Sequence, residues 1–156
     1  MRLKWPGFLV VGIVTANLFS VSPVFAQKDM GIRAGVSVDP EQFYFGGHIT
    51  TGPVVDRLFF RPNAEIGVGD HSSGVALNGE FAYFVPLEKR DTNAYFGGGP
   101  ALNIFSSGPS GARNTSVGPG FNFLVGVGQR RGWFAEMKIG AIDSPRFKLG
   151  VGYTFR

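Results

Sequence analysis

The last eleven residues, RFKLGVGYTFR from Arg146 to Arg156, constrain the fold more than any other stretch. Phe147, Leu149, Val151, Tyr153 and Phe155 alternate with Arg146, Lys148, Gly150, Gly152, Thr154 and Arg156. An unbroken period of two marks a strand with one apolar face and one small, polar or cationic face. At about 3.3 Å per residue, a tilted strand of about ten residues crosses a bilayer's hydrocarbon core. A closed barrel needs a terminal strand to seal its seam, and this segment is suited to do so.

The same alternation recurs upstream, punctuated by Gly, Pro, Asp and Ser turns. It predicts strands over 31–38, 42–51, 58–69, 75–85, 94–105, 120–129 and 133–142, eight with the closing strand. Pro62 interrupts the third and is expected to mark a bulge or the strand's start, since proline cannot donate to a ladder. The longest connection, from Ser106 to Val117, reads SSGPSGARNTSV and is expected to be a loop.

Alternation alone fits two opposite objects. A soluble lipocalin-like barrel turns its apolar face inward around a ligand, whereas a membrane barrel turns it toward lipid. Three features favour the membrane barrel. The polar face is rich in glycine, including Gly35, Gly67, Gly126 and Gly152, where a solvated strand would prefer Thr, Lys or Glu. Its charges are of mixed sign: Arg33, Arg61, Glu65, Glu80, Glu136, Lys138, Arg146 and Lys148. Such a set can pair across a narrow lumen. Aromatic residues such as Phe43, Phe60, Tyr83, Phe96, Trp133 and Tyr153 lie toward strand ends, where interfacial girdles belong. The expected fold is an all-β, eight-stranded antiparallel up-and-down transmembrane β-barrel.

Residues 1–26 read as a secretory signal peptide, with Arg2 and Lys4 before the apolar stretch 8–19 and a small-residue site, Val24-Phe25-Ala26. Cleavage after Ala26 leaves 27–156 as the barrel domain. It also lowers the formal charge from +4 to +2, too little to argue for a nucleic-acid partner. With no cysteine there is no disulfide, thiol ligand or thiol nucleophile. No later stretch approaches the roughly 18 continuous apolar residues of a spanning helix.

In this pattern the chain resembles the small eight-stranded outer-membrane proteins of the OmpA, OmpX and opacity-protein class. The resemblance covers the whole of 27–156, and LGVGYTF is its most specific element. It implies a bacterial outer-membrane location among lipid and lipopolysaccharide. It also implies that Leu149, Val151, Tyr153 and Phe155 form the signal read by the outer-membrane assembly machinery. Arg156 departs from the class, which usually ends on the aromatic, and no sequence remains for a periplasmic peptidoglycan-binding domain. The class topology puts both termini in the periplasm and connections 39–41, 70–74, 106–117 and 143–145 outside. Only the segment from Ser106 to Val117, with Arg113, is then long enough to meet a surface partner.

Some outer-membrane barrels are lipid A deacylases that use His, Ser and Glu near the outer rim. Here His71-Ser72-Ser73 offers a His-x-Ser string, with His71 as base for Ser73 and Glu80, nine residues on, as the orienting carboxylate. Glu80 is expected mid-strand and lumenal, and the class places its His-x-Ser late in the chain. A turn role for His71 is the simpler reading. Two histidines without cysteine give no metal site, and His48 is expected to pack inside by hydrogen bonding. The runs Gly97–Gly99 and Gly126-x-Gly128 lack the strand-to-helix setting of a nucleotide loop, so no cofactor is implied. Eight strands enclose a lumen that side chains just fill. A plugged lumen is the default, and the inward glycines weaken it by leaving volume that would admit a narrow, poorly conducting pore but not a porin-like channel. The expected role is structural or surface-interacting without catalysis, with a lipid-modifying enzyme and a narrow pore as alternatives.

Overall fold

The computed structural model describes residues 28–70, 72–88, 92–108 and 114–155. The expected signal peptide and its cleavage site lie outside the described residues, as do His71, Arg113 and Arg156. Eight strands follow in order: β1 (Lys28–Val38), β2 (Gln42–Val55), β3 (Leu58–Val68), β4 (Ser72–Pro86), β5 (Thr92–Ser107), β6 (Asn114–Gln129), β7 (Gly132–Ile142) and β8 (Phe147–Thr154). Each pairs antiparallel with its sequence neighbours, and β1 pairs β8 from Gly31↔Thr154 to Val38↔Phe147, closing the barrel. Closure removes the free edges that would otherwise template aggregation.

The sheet is inside out relative to a soluble barrel. Ile32, Phe96, Val125 and Trp133 are 58%, 55%, 47% and 69% exposed. Arg33, Glu65, Glu80 and Lys138 are each at most 4% exposed. Charges do not leave water while Phe and Trp enter it, so this surface belongs in hydrocarbon. The soluble, ligand-centred alternative is thereby overturned.

Outward rings cluster toward the end that carries the termini. Trp133 meets Tyr153 at 5.2 Å between centroids, Tyr153 meets Phe155 at 5.3 Å, and Tyr83 meets Phe96 at 5.7 Å. They form one interfacial girdle, where amphipathic rings are favoured.

Three local expectations are corrected. The described residues at both ends of the segment from Ser106 to Val117 are strand: Ser106↔Thr115 and Ile104↔Val117 extend the β5–β6 ladder, and 109–113 lie outside the described residues. Backbone pairing continues whatever the side chains' polarity, so a Ser/Thr-rich stretch can remain sheet beyond the hydrocarbon. Pro62 marks neither a bulge nor a strand start, because β3–β4 register runs without shift from Leu58↔Tyr83 through Pro62↔Gly79. Its ring simply points outward, opposite Gly79. The register shift lies instead between Thr51 and Val55, where Gly52 takes φ +121° and β2 runs on to Val55.

Candidate functional site

The barrel interior is built from residues of one parity on each strand. Its centre is an ion-pair network that crosses the lumen. Lys138 on β7 places Nζ 2.6 Å from Glu80 on β4 and 3.0 Å from Glu65 on β3, with Glu136 at 3.7 Å. Arg33 on β1 donates through Nη1 to Glu136 at 3.1 Å and Glu65 at 3.4 Å. Arg61 donates to the other Glu136 oxygen at 3.0 Å, and Lys148 on β8 donates to Glu65 at 2.7 Å. Three carboxylates thus tie β1, β3, β4, β7 and β8 together. Buried pairs of this kind contribute little net stability over an apolar core, but losing one partner is severe.

Arg146 does not join them. It precedes β8 in the β7–β8 turn, its side chain is 81% exposed, and it pairs with Asp39 on the β1–β2 turn at 3.3 Å. Parity points a side chain inward only within a ladder, and that ladder begins at Phe147. The other seven predicted charges meet inside. Leu149 and Val151 face outward, Tyr153 packs between Trp133 and Phe155, and Phe155 lies just past β8.

Several members escaped the charge-based reading. A chain of amides runs from Asn122 to Asn78 to Asn63 to the Glu80 carboxylate, each step 2.8 Å. Tyr95 donates its hydroxyl to Glu136 at 3.0 Å, and Arg61 lies over the Tyr95 and Phe134 rings at 5.0 and 5.3 Å. His48 is buried, as expected, and its Nε2 pairs with Thr154 Oγ1 at 3.0 Å. Asp29 meets Arg131 at 2.9 Å beside the terminal mouth. Mid-strand lumenal parity was the available signal for the asparagines. Asp29 carried none, because β1 begins three residues before the predicted strand.

The inward glycines do not leave open volume. Side chains from neighbouring strands occupy the space: the Tyr44 ring lies against Gly35 and Gly150, Tyr95 against Gly126, Phe134 against Gly152, and Gln42 against Gly67. A Cβ at Gly126 would strike the Tyr95 ring, and one at Gly152 the Phe134 ring. Phe59, Phe84, Tyr95, Leu124 and Phe134 make one buried cluster, with Phe84 stacked on Tyr95 at 5.0 Å. An open vestibule of about 1010 Å³ at the terminal end reaches in to Phe59 and Phe84. The rings and the ion pairs occlude the lumen beyond it.

The catalytic alternative loses its carboxylate. Ser73 lies at the start of β4, whereas Glu80, seven residues along, is about 23 Å away at 3.3 Å per residue and is held by Lys138 and Asn63. His71 lies outside the described residues.

These features define a class: a transmembrane up-and-down β-barrel of eight strands with an occluded, ionically cross-linked interior. Among solved structures the chain is similar to the N-terminal β-barrel domain of Pseudomonas aeruginosa OprF, with a TM-score of 0.63 and 14% identity over 82% of this chain and 96% of that one. It is also similar to Neisserial surface protein A (NspA), with a TM-score of 0.57 and 15% identity over 82% of this chain and 93% of that one. At these identities the likeness is one of fold. No family model matches the chain, and no curated protein matches it in sequence.

Proposed function

We propose that the chain is a structural or surface-interacting protein of a bacterial outer membrane, working without turnover. The observation that carries this reading is the interior. Its carboxylates are all committed to interior cations and its glycine notches are filled by side chains, so the lumen is built as a strut. The fold shared with OprF's barrel domain and NspA supports the location.

The apolar outer face contacts lipid, and the rim formed by the β1–β2, β3–β4, β5–β6 and β7–β8 turns meets lipopolysaccharide. With β5 and β6 paired out to Ser107 and Asn114, a surface partner has less loop to grip than 106–117 promised. The reading therefore leans on the structural role. Leu149, Val151, Tyr153 and Phe155 serve the assembly machinery, a role consistent with their placement on and just after the strand that closes the seam.

Density-gradient fractionation of cells, followed by planar-bilayer recording of the purified protein, tests the proposal. It expects the protein in the outer-membrane fraction and no discrete conductance steps. Recovery in the inner membrane, or porin-like steps, would overturn it.

A further inference from the structure

Among the described residues the interior network holds four cations, Arg33, Arg61, Lys138 and Lys148, against three carboxylates, Glu65, Glu80 and Glu136. Asp29 does not redress the difference, because Arg131 already matches it at the mouth. One positive charge is left over where water is excluded, and an unmatched buried charge is strongly unfavourable.

Orphaned donors locate the excess. Arg33 commits Nη1 to Glu136 and Glu65, while its Nε and Nη2 are buried without an acceptor. His48 Nδ1 is likewise buried without a partner. Both residues stand in adjacent lumenal rows of β1 and β2, where Arg33 pairs with Gly46 and Gly31 with His48. Both also face Phe134, the His48 ring edge-on at 5.3 Å and the Arg33 Cζ 5.8 Å from the ring centroid. In the tautomer whose Nε2 accepts the Thr154 hydroxyl, His48 Nδ1 carries the ring proton. The corner then presents unpaired N–H groups from two residues and no acceptor for them.

We propose that this corner binds one small inorganic anion, a halide, as the resident counter-charge of the interior. Water could accept the same hydrogen bonds but would leave the extra charge uncompensated. The charge count is what selects an anion.

Crystals of the full barrel grown in sodium bromide provide the direct test. Anomalous density between Arg33 and His48 is expected; an ordered water in that place, or bromide at the surface only, overturns the proposal. In solution, urea unfolding is compared in sodium bromide and sodium gluconate at equal ionic strength. The folding equilibrium constant should rise roughly tenfold once bromide reaches about ten times its dissociation constant. Equal unfolding in the two salts overturns the proposal. Arg33→Met removes the excess charge and the donors together and should abolish the bromide dependence. Should that variant fail to fold, Lys148→Met removes one interior positive charge, with its bond to Glu65, while leaving the Arg33 donors in place, and should weaken the dependence. Nitrogen NMR of the lysine side chains supplies the last arm: a neutral Lys148 amine would mean the interior balances by losing a proton, and the halide site would be refuted.

Discussion

Glu136→Ala is the most severe single perturbation of the interior. The carboxylate accepts from Arg33 at 3.1 Å, Arg61 at 3.0 Å and Tyr95 at 3.0 Å, and has Lys138 at 3.7 Å. Its loss leaves four buried cations facing two carboxylates. Truncating one partner of a buried ion pair costs about 3–5 kcal/mol, and here three cations lose the same anion, which puts the expectation near about 5 kcal/mol. At tenfold per 1.4 kcal/mol, the folding equilibrium shifts by roughly three orders of magnitude or more. The assay is urea unfolding of the refolded barrel in lipid vesicles, followed by tryptophan fluorescence. Arg146→Ala is the control, because it removes only the exposed pair with Asp39, worth about 0–1 kcal/mol. If both variants unfold at the same urea concentration, the interior pairs do not hold the barrel and the reasoning fails.

Glycines should divide by face. Gly152→Ala drives a methyl into the Phe134 ring and should destabilise by about 1–3 kcal/mol, whereas a Cβ at outward Gly47 meets nothing nearer than the Gly31 carbonyl at 3.6 Å. Gly47→Ala should therefore be neutral or stabilise by up to about 1 kcal/mol, and urea midpoints read both. His71→Ala and Ser73→Ala should leave the mass spectrum of lipid A unchanged; a restored acyl chain in either would revive the enzymatic alternative. Phe155→Ala should slow accumulation of folded barrel in cells while leaving refolding into detergent unaffected, measured by pulse labelling in the first case and gel mobility in the second. Equal slowing in both settings would assign Phe155 to barrel stability and not to an assembly signal.

Strand number and facing were legible because period-two alternation survives in every segment and one face had to be buried somewhere. Seven of the eight proposed interior charges followed from parity alone, since each lies within a paired ladder. Arg146 failed at a boundary: one residue outside β8, a side chain obeys the turn and finds Asp39. The ends of the segment from Ser106 to Val117 are strand where composition suggests loop, because composition reports solvation, and a hairpin that protrudes from a membrane is solvated and still paired. The filled lumen depended on register. Tyr95 and Gly126 are 31 positions apart in the chain, and nothing local says that the ring of one fills the notch of the other. The amide chain from Asn122 to Glu80 is the same kind of fact, legible residue by residue but not as a connected path.

The central claim is a closed barrel with lipid outside and ion pairs inside. Its most direct test is the electrophoretic mobility in SDS of membrane-extracted protein, with and without heating. A barrel sealed by the β1–β8 ladder should stay folded in unheated detergent and migrate apart from the boiled sample. Identical mobility, with the protein recovered soluble from the periplasm, would contradict the account.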